Sequence, residues 1–122
     1  MLTGDKIETA KCIAISTGLK SQKQSVFEIT ALDSIKDIEE AITKYNMLVH
    51  SHMLMVDGCT LSVICNHDSL RQMFFDVAPK AKSVCICRCS PTQKALVASN
   101  IKNITGRRIA CVGDGGNDVA MI

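Results

Sequence analysis

Near its C-terminal end the chain reads Gly113-Asp114-Gly115-Gly116-Asn117-Asp118, directly after the short apolar run of residues 109–112. A hard cation such as Mg²⁺ takes one or two carboxylates and fills its shell with phosphate and water oxygens. Asp114 can supply such a carboxylate, and Asn117 can donate to a phosphoryl oxygen. Asp118 can ligate through water or hold a lysine in place. The glycines let the backbone bend tightly and approach a ligand closely. The plainer alternative is an Asn-Asp pair that caps a helix after a turn.

Two further stretches carry compatible chemistry. In Leu2-Thr3-Gly4-Asp5-Lys6 a hydroxyl and a glycine N–H stand at a strand-to-helix turn, where a helix N-terminus favours phosphate. The same three residues also suit ordinary N-cap duty. In Arg88-Cys89-Ser90-Pro91-Thr92-Gln93-Lys94, Arg88 ends a strand and Lys94 lies in the first turn of the next helix. Together they place two positive charges over one anion; either alone reads as a surface charge beside a cap.

The elements that position these motifs follow from apolar spacing and punctuation. Residues 6–17 read as a helix ended by Gly18, and residues 26–29 as a short strand. Ser34 opens a helix in which Ile35, Ile38, Ile42 and Tyr45 share one face. Residues 53–56 form an apolar strand, and Asp57-Gly58 reads as a turn. Leu70, Met73, Phe74 and Val77 make the stripe of a helix that stops at Pro79. Residues 83–89 are the next strand, and Ser90, Pro91 and Gln93 open a helix that Gly106 terminates. Residues 108–112 are predicted as the last strand. Short, wholly apolar strands alternating with helices imply a parallel sheet covered on both faces. Ligands of such sheets bind at the C-terminal ends of the strands, where all three motifs fall.

Composition narrows the function classes. The chain has 122 residues, room for one compact domain, and 47% of them are hydrophobic, enough for a sizeable core. Its net charge is +2, with no basic stripe interleaved with aromatics, which argues against nucleic acid as the main partner. Lys20 and Lys23 read as a solvated loop. The seven cysteines are odd in number and several lie in apolar runs, which suits reduced thiols better than a disulfide framework. Cys85, Cys87 and Cys89 alternate along a predicted strand, so they are expected on one side of it as core residues. His50 and His52 lack the neighbours of a metal motif and read as surface or edge residues. No apolar run approaches the ~18 residues of a membrane span.

Taken together, "MLTGDKIETA", "CRCSPTQKALV" and "TGRRIACVGDGGNDVAMI" resemble the phosphorylation domain of P-type ATPases. Within that family they resemble the type IV branch, the phospholipid flippases, and in it the subgroup that works without an accessory subunit. The resemblance implies an α/β, haloacid dehalogenase-like Rossmann-type fold with helices on both faces of a parallel sheet. It also implies an aspartyl-phosphate mechanism, with ATP as substrate and Mg²⁺ bridging its phosphates, coupled to phospholipid movement across a membrane. Carried over by motif, Thr3 and Gly4 bind the transferred phosphoryl group and Asp5 lies beside the nucleotide. Arg88 and Lys94 neutralise phosphate charge, Asp114 ligates Mg²⁺, and Asn117 and Asp118 complete the pocket, Asp118 also as a metal ligand. The implied location is the cytoplasmic face of an endomembrane protein of Golgi or endosomal type.

The family's nucleophile sits in an Asp-Lys-Thr-Gly motif upstream of Thr-Gly-Asp, and none occurs among these residues. "VDGCTL", residues 56–61, only faintly resembles the Asp-x-Asp-Gly-Thr signature of the haloacid dehalogenase-like enzymes: Met55 stands where the aspartate would be and Cys59 splits Gly-Thr. The expectation is therefore that residues 1–122 are a fragment, the C-terminal part of a phosphorylation domain, without catalytic nucleophile and inactive alone. The alternative is a free-standing nucleotide- and Mg²⁺-binding module of the same fold.

Overall fold

The computed structural model describes residues 1–122, and its architecture is α/β. Three strands, β1 (Ser25–Ile29), β2 (His52–Asp57) and β3 (Val84–Cys87), form a parallel sheet in the order β1-β2-β3. Phe27 pairs with Leu54, and Leu54 with Val84. Beyond β3, residues 1–3 add a fourth, minimal strand position. Leu2 bridges Ile86 in parallel, Thr3 N–H donates to Ile86 O at 2.9 Å, and Ile86 N–H donates to Met1 O at 2.9 Å.

Each helix begins and ends for identifiable reasons. α1 (Ile7–Ser16) stops before Gly18, which takes the left-handed conformation at φ +76°. α2 (Ile35–Asn46) is capped by the Ser34 hydroxyl, which accepts from Asp37 N–H, and it buries Ile38, Ile42 and Tyr45. α3 (Gly58–Asn66) and α4 (Asp68–Val77) follow in quick succession, and Pro79 sits in a short 3₁₀ turn after α4. α5 (Pro91–Thr105) carries a complete capping box between Ser90 and Gln93, with Pro91 at its first position and Gly106 left-handed at its end.

Period-two alternation along β2 divides the core. Leu54 and Val56 face a large cluster shared with α2, α3, α4 and α5, in which Phe74 and Phe75 meet edge to face. Met53 and Met55 face the opposite side, where Ala10 and Ala14 of α1 pack on them with Cys85 and Cys87. Small residues let α1 lie close on that face.

The structure departs from the sequence-based expectations at three places. Residues 58–66 are a helix, and Asp57-Gly58 is its entry rather than a free turn: Asp57 Oδ1 accepts from Thr60 N–H at 2.9 Å. A glycine at a first helical position, followed by a short apolar run, disguises the helix start. Cys89 does not share a side with Cys85 and Cys87 but joins the larger cluster. Arg88 is left-handed, at φ +49°, which ends β3 at Cys87 and breaks the alternation.

The third departure concerns residues 108–112, which form no strand. Ile109 is 39% exposed and Val112 91% exposed, although both are apolar. The reason is the lack of a neighbour. Leu2 N–H and C=O make no hydrogen bond and mark the open edge of the sheet. Between that edge and residues 109–112 lies a cavity of about 1040 Å³, bordered also by Phe74, Phe75, Val97 and Ile101. Strands pair only at a spacing of about 4.8 Å, and here a gap intervenes.

Because Phe74 is 2% exposed and packs in the larger cluster, Phe74→Ala is expected to cost about 3–5 kcal/mol of unfolding free energy, readable in a urea titration.

Candidate phosphate and cation site

In a parallel sheet all strands end on one edge, and this edge is cross-linked strand by strand. Ala31 N–H, beyond β1, donates to Asp57 Oδ2 at 3.1 Å, and Leu32 N–H donates to Thr60 Oγ1 at 3.1 Å. Arg88 N–H, beyond β3, donates to Asp5 O at 2.9 Å, and Cys89 N–H to Thr3 O at 2.9 Å. The Thr-Gly-Asp turn is therefore held against the Arg88-Cys89 turn by main-chain bonds. Within it, Thr3 Oγ1 donates to Asp5 Oδ2 at 2.8 Å and accepts from Asp5 N–H at 3.1 Å. α1 itself has no side-chain cap, which leaves its first-turn N–H groups open at the same edge.

The glycine-rich segment joins this edge through one buried contact. Lys94 is 4% exposed and Asp118 6% exposed, and Lys94 Nζ donates to Asp118 Oδ1 at 2.8 Å. Lys94 is thus drawn inward and its charge is matched, rather than standing free over an anion. The hydrogen bond from Lys94 holds the Asp118 carboxyl below the usual carboxylate range. Its attraction and the N–H groups of Gly115 and Asp114 assist against the opposing effect of burial. Gly113 makes this approach possible, since a Cβ there would lie 2.3 Å from Asp118 Cβ.

Seven of the eight sequence-predicted site residues border one cavity: Thr3, Gly4, Asp5, Lys94, Asp114, Asn117 and Asp118. Arg88 is the exception. Its backbone is tied into the edge, but its side chain is exposed and makes no hydrogen bond or ion pair. Asp5, Asp114 and Asn117 are exposed as well, so two carboxylates and one amide are accessible at the cavity. No cluster of three metal-ligating side chains exists. This donor set fits a cation that keeps waters and phosphate oxygens in its shell, and not one that needs a full protein cage.

Sequence reasoning did not single out Asp57, Gly58 or Thr60 as part of this edge, and it gave Gln93 only a capping role. Gln93 Nε2 donates to Gly58 O at 2.6 Å and to Ser62 Oγ at 2.8 Å while its Oε1 accepts from Ser90 N–H. Such contacts join residues 31 to 35 positions apart, which local spacing does not reveal.

No family model matches the chain. The chain is nevertheless similar along its whole length to phospholipid-transporting ATPases. It is 43% identical over 122 residues to the phospholipid-transporting ATPase NEO1 of Saccharomyces cerevisiae. It is 38% identical over 122 residues to the probable phospholipid-transporting ATPase IIB of Homo sapiens, and 35% identical over 131 residues to the probable phospholipid-transporting ATPase DNF3 of S. cerevisiae. All of this chain aligns in each case, but it spans only 10%, 10% and 8% of those proteins.

Breaking the buried pair from one side leaves a charge without its partner. Lys94→Met or Asp118→Asn alone is expected to lower the thermal midpoint more than the double substitution does, a non-additivity that a double-mutant cycle reads directly. The pH dependence has a defined sign. The unfolded carboxyl titrates near 3.8 and the folded one lower. The pair's contribution is therefore fully present above that value and is lost as pH falls through the folded one. Asp118→Asn should flatten the acid limb of a stability–pH profile.

Proposed function

We propose that this chain is the C-terminal part of the phosphorylation domain of a P-type ATPase that transports phospholipid. The observation that carries the reading is the slot between residues 1–3 and 109–112. An open strand edge and an unpaired apolar segment face one cavity, which residues of all three candidate motifs border. One further parallel strand in that slot pairs with both sides and brings its own C-terminal residue to the same edge. A carboxylate carried there is the nucleophile that these 122 residues lack. Whole-length similarity to phospholipid-transporting ATPases supports the same reading.

The chemistry asked of these residues is positioning and charge neutralisation, which is what phosphoryl transfer requires. Thr3 and Gly4 hold the oxygens of the transferred group, and Asp5 lies on the nucleotide side. Arg88 meets phosphate charge directly. Lys94 contributes from within, through the loop it anchors. Asp114 would hold Mg²⁺, Asn117 would donate to a phosphoryl oxygen, and Asp118 would support the cation site while it holds Lys94. A Mg²⁺ ion held there would supply neutralisation of phosphate charge. In the net step the incoming carboxylate oxygen bonds to the γ-phosphorus of ATP, and the bond to the leaving ADP oxygen breaks.

No helix here is long and apolar enough to cross a membrane, so lipid movement belongs to other segments of the parent protein. We place that protein in an endomembrane, of Golgi or endosomal type, with this part on the cytoplasmic face and no accessory subunit required.

Incubation with labelled ATP and Mg²⁺ separates this reading from a self-sufficient enzyme. The 122-residue chain is expected to retain no acid-stable, hydroxylamine-sensitive phosphate, because covalent transfer without a nucleophile has no first step. The full-length protein is expected to retain it, and Asp114→Ala there to reduce it by about 10²-fold or more. Acyl phosphate on the short chain would overturn the proposal.

A further inference from the structure

Besides Asp5, two residues with no assigned part in phosphate binding, Gly58 and Gln93, hold the Arg88 turn in place. Arg88 is left-handed at φ +49°, a conformation that is strained for a bulky side chain and persists only where its surroundings impose it. Three contacts impose it. Arg88 N–H donates to Asp5 O at 2.9 Å. The Arg88 carbonyl is turned onto buried Gly58, where a Cβ would lie 2.2 Å from Arg88 O and 3.0 Å from Gln93 Oε1. Gln93 closes the arrangement, since its Nε2 donates to Gly58 O and Ser62 Oγ while its Oε1 accepts from Ser90 N–H. Only a glycine hydrogen fits between α3 and the β3–α5 turn.

We infer that Gly58 and Gln93 are positioning residues that clamp the β3–α5 turn in its left-handed form and thereby aim Arg88 along the phosphate edge. The inference rests on the phosphate-binding reading of Arg88 given above. The clamp joins the entry of α3 to the same turn that Asp5 grips from the other side, so Arg88 is fixed between the ends of β2 and of the first segment. A side chain at residue 58 has to displace the Arg88 carbonyl, because backbone on both sides leaves no rotamer to absorb the clash. The turn then relaxes, and the direction in which the Arg88 side chain leaves the backbone changes. Displacements of about 1 Å at such sites cost up to ~10²-fold in rate.

A double-mutant cycle in the full-length ATPase that carries this segment tests the clamp. Gly58→Ala is expected to lower kcat/KM for Mg-ATP about tenfold or more in the wild-type background, and to have little effect in an Arg88→Gln background. Gln93→Glu provides the second variant. It keeps the acceptor for Ser90 N–H, and hence the helix cap, but loses the donor to Gly58 O and Ser62. It should show the same dependence on Arg88, with the same change of thermal midpoint in both Arg88 backgrounds. An equal loss in both Arg88 backgrounds would mean that Gly58 and Gln93 serve packing alone and would overturn the inference. Unchanged activity of Arg88→Gln by itself would overturn the phosphate reading instead, so the two failures are distinguishable.

Discussion

A parallel strand is complete only when both of its sides are hydrogen-bonded, and at residues 1–3 only one side is. Met1 and Thr3 bond to β3, whereas Leu2 N–H and C=O point away from it without partners. Everything at the C-terminal end of the chain follows from that open side. Residues 109–112 have the composition of a buried strand yet lie exposed, because the position against which they would pair is a cavity. Unpaired backbone beside apolar walls is a costly arrangement, and insertion of one strand satisfies both edges.

Against that openness the finished side of the sheet is rigid at the edge that matters. Side-chain and main-chain bonds run from Ala31 to Asp57, from Gly58 through Gln93 to the Arg88 turn, and from Arg88 to Asp5. The last motif is attached differently. No bond between two main-chain groups involves residues 107–114, and the buried Lys94–Asp118 pair ties the loop to α5. Half of the site is thus built on a fixed edge, and half hangs from one ion pair. Charge follows the same division. Arg88 and Asp114 are exposed, whereas Lys94 and Asp118 neutralise each other inside.

How much of this was legible in the sequence depended on the range of the interaction. Ser34 and the Ser90–Gln93 box announced their helices because a cap is decided within a few residues. The apolar strands, and the meeting of the Thr-Gly-Asp and Arg88 turns, followed from the rule for parallel sheets, whereas the glycine-rich segment joins them through the Lys94–Asp118 pair and not from a strand end. Three features did not follow. Gly58 read as a turn because its role is to admit the Arg88 carbonyl from a distant segment. Cys89 changed sides because Arg88 is left-handed, a property of backbone that no alternation pattern carries. Residues 108–112 read as a strand by composition, but pairing depends on a neighbour, and composition says nothing about whether one is there.

The most direct measurement is amide hydrogen exchange on the 122-residue chain with and without a peptide bearing an apolar strand of about five residues ahead of Asp-Lys-Thr-Gly. The account predicts fast exchange at Leu2 and at residues 109–112 in the chain alone, and saturable protection of both when the peptide is added. Protection of neither, or of only the outer edge at β1, would contradict the claim that this slot is the place of a missing strand.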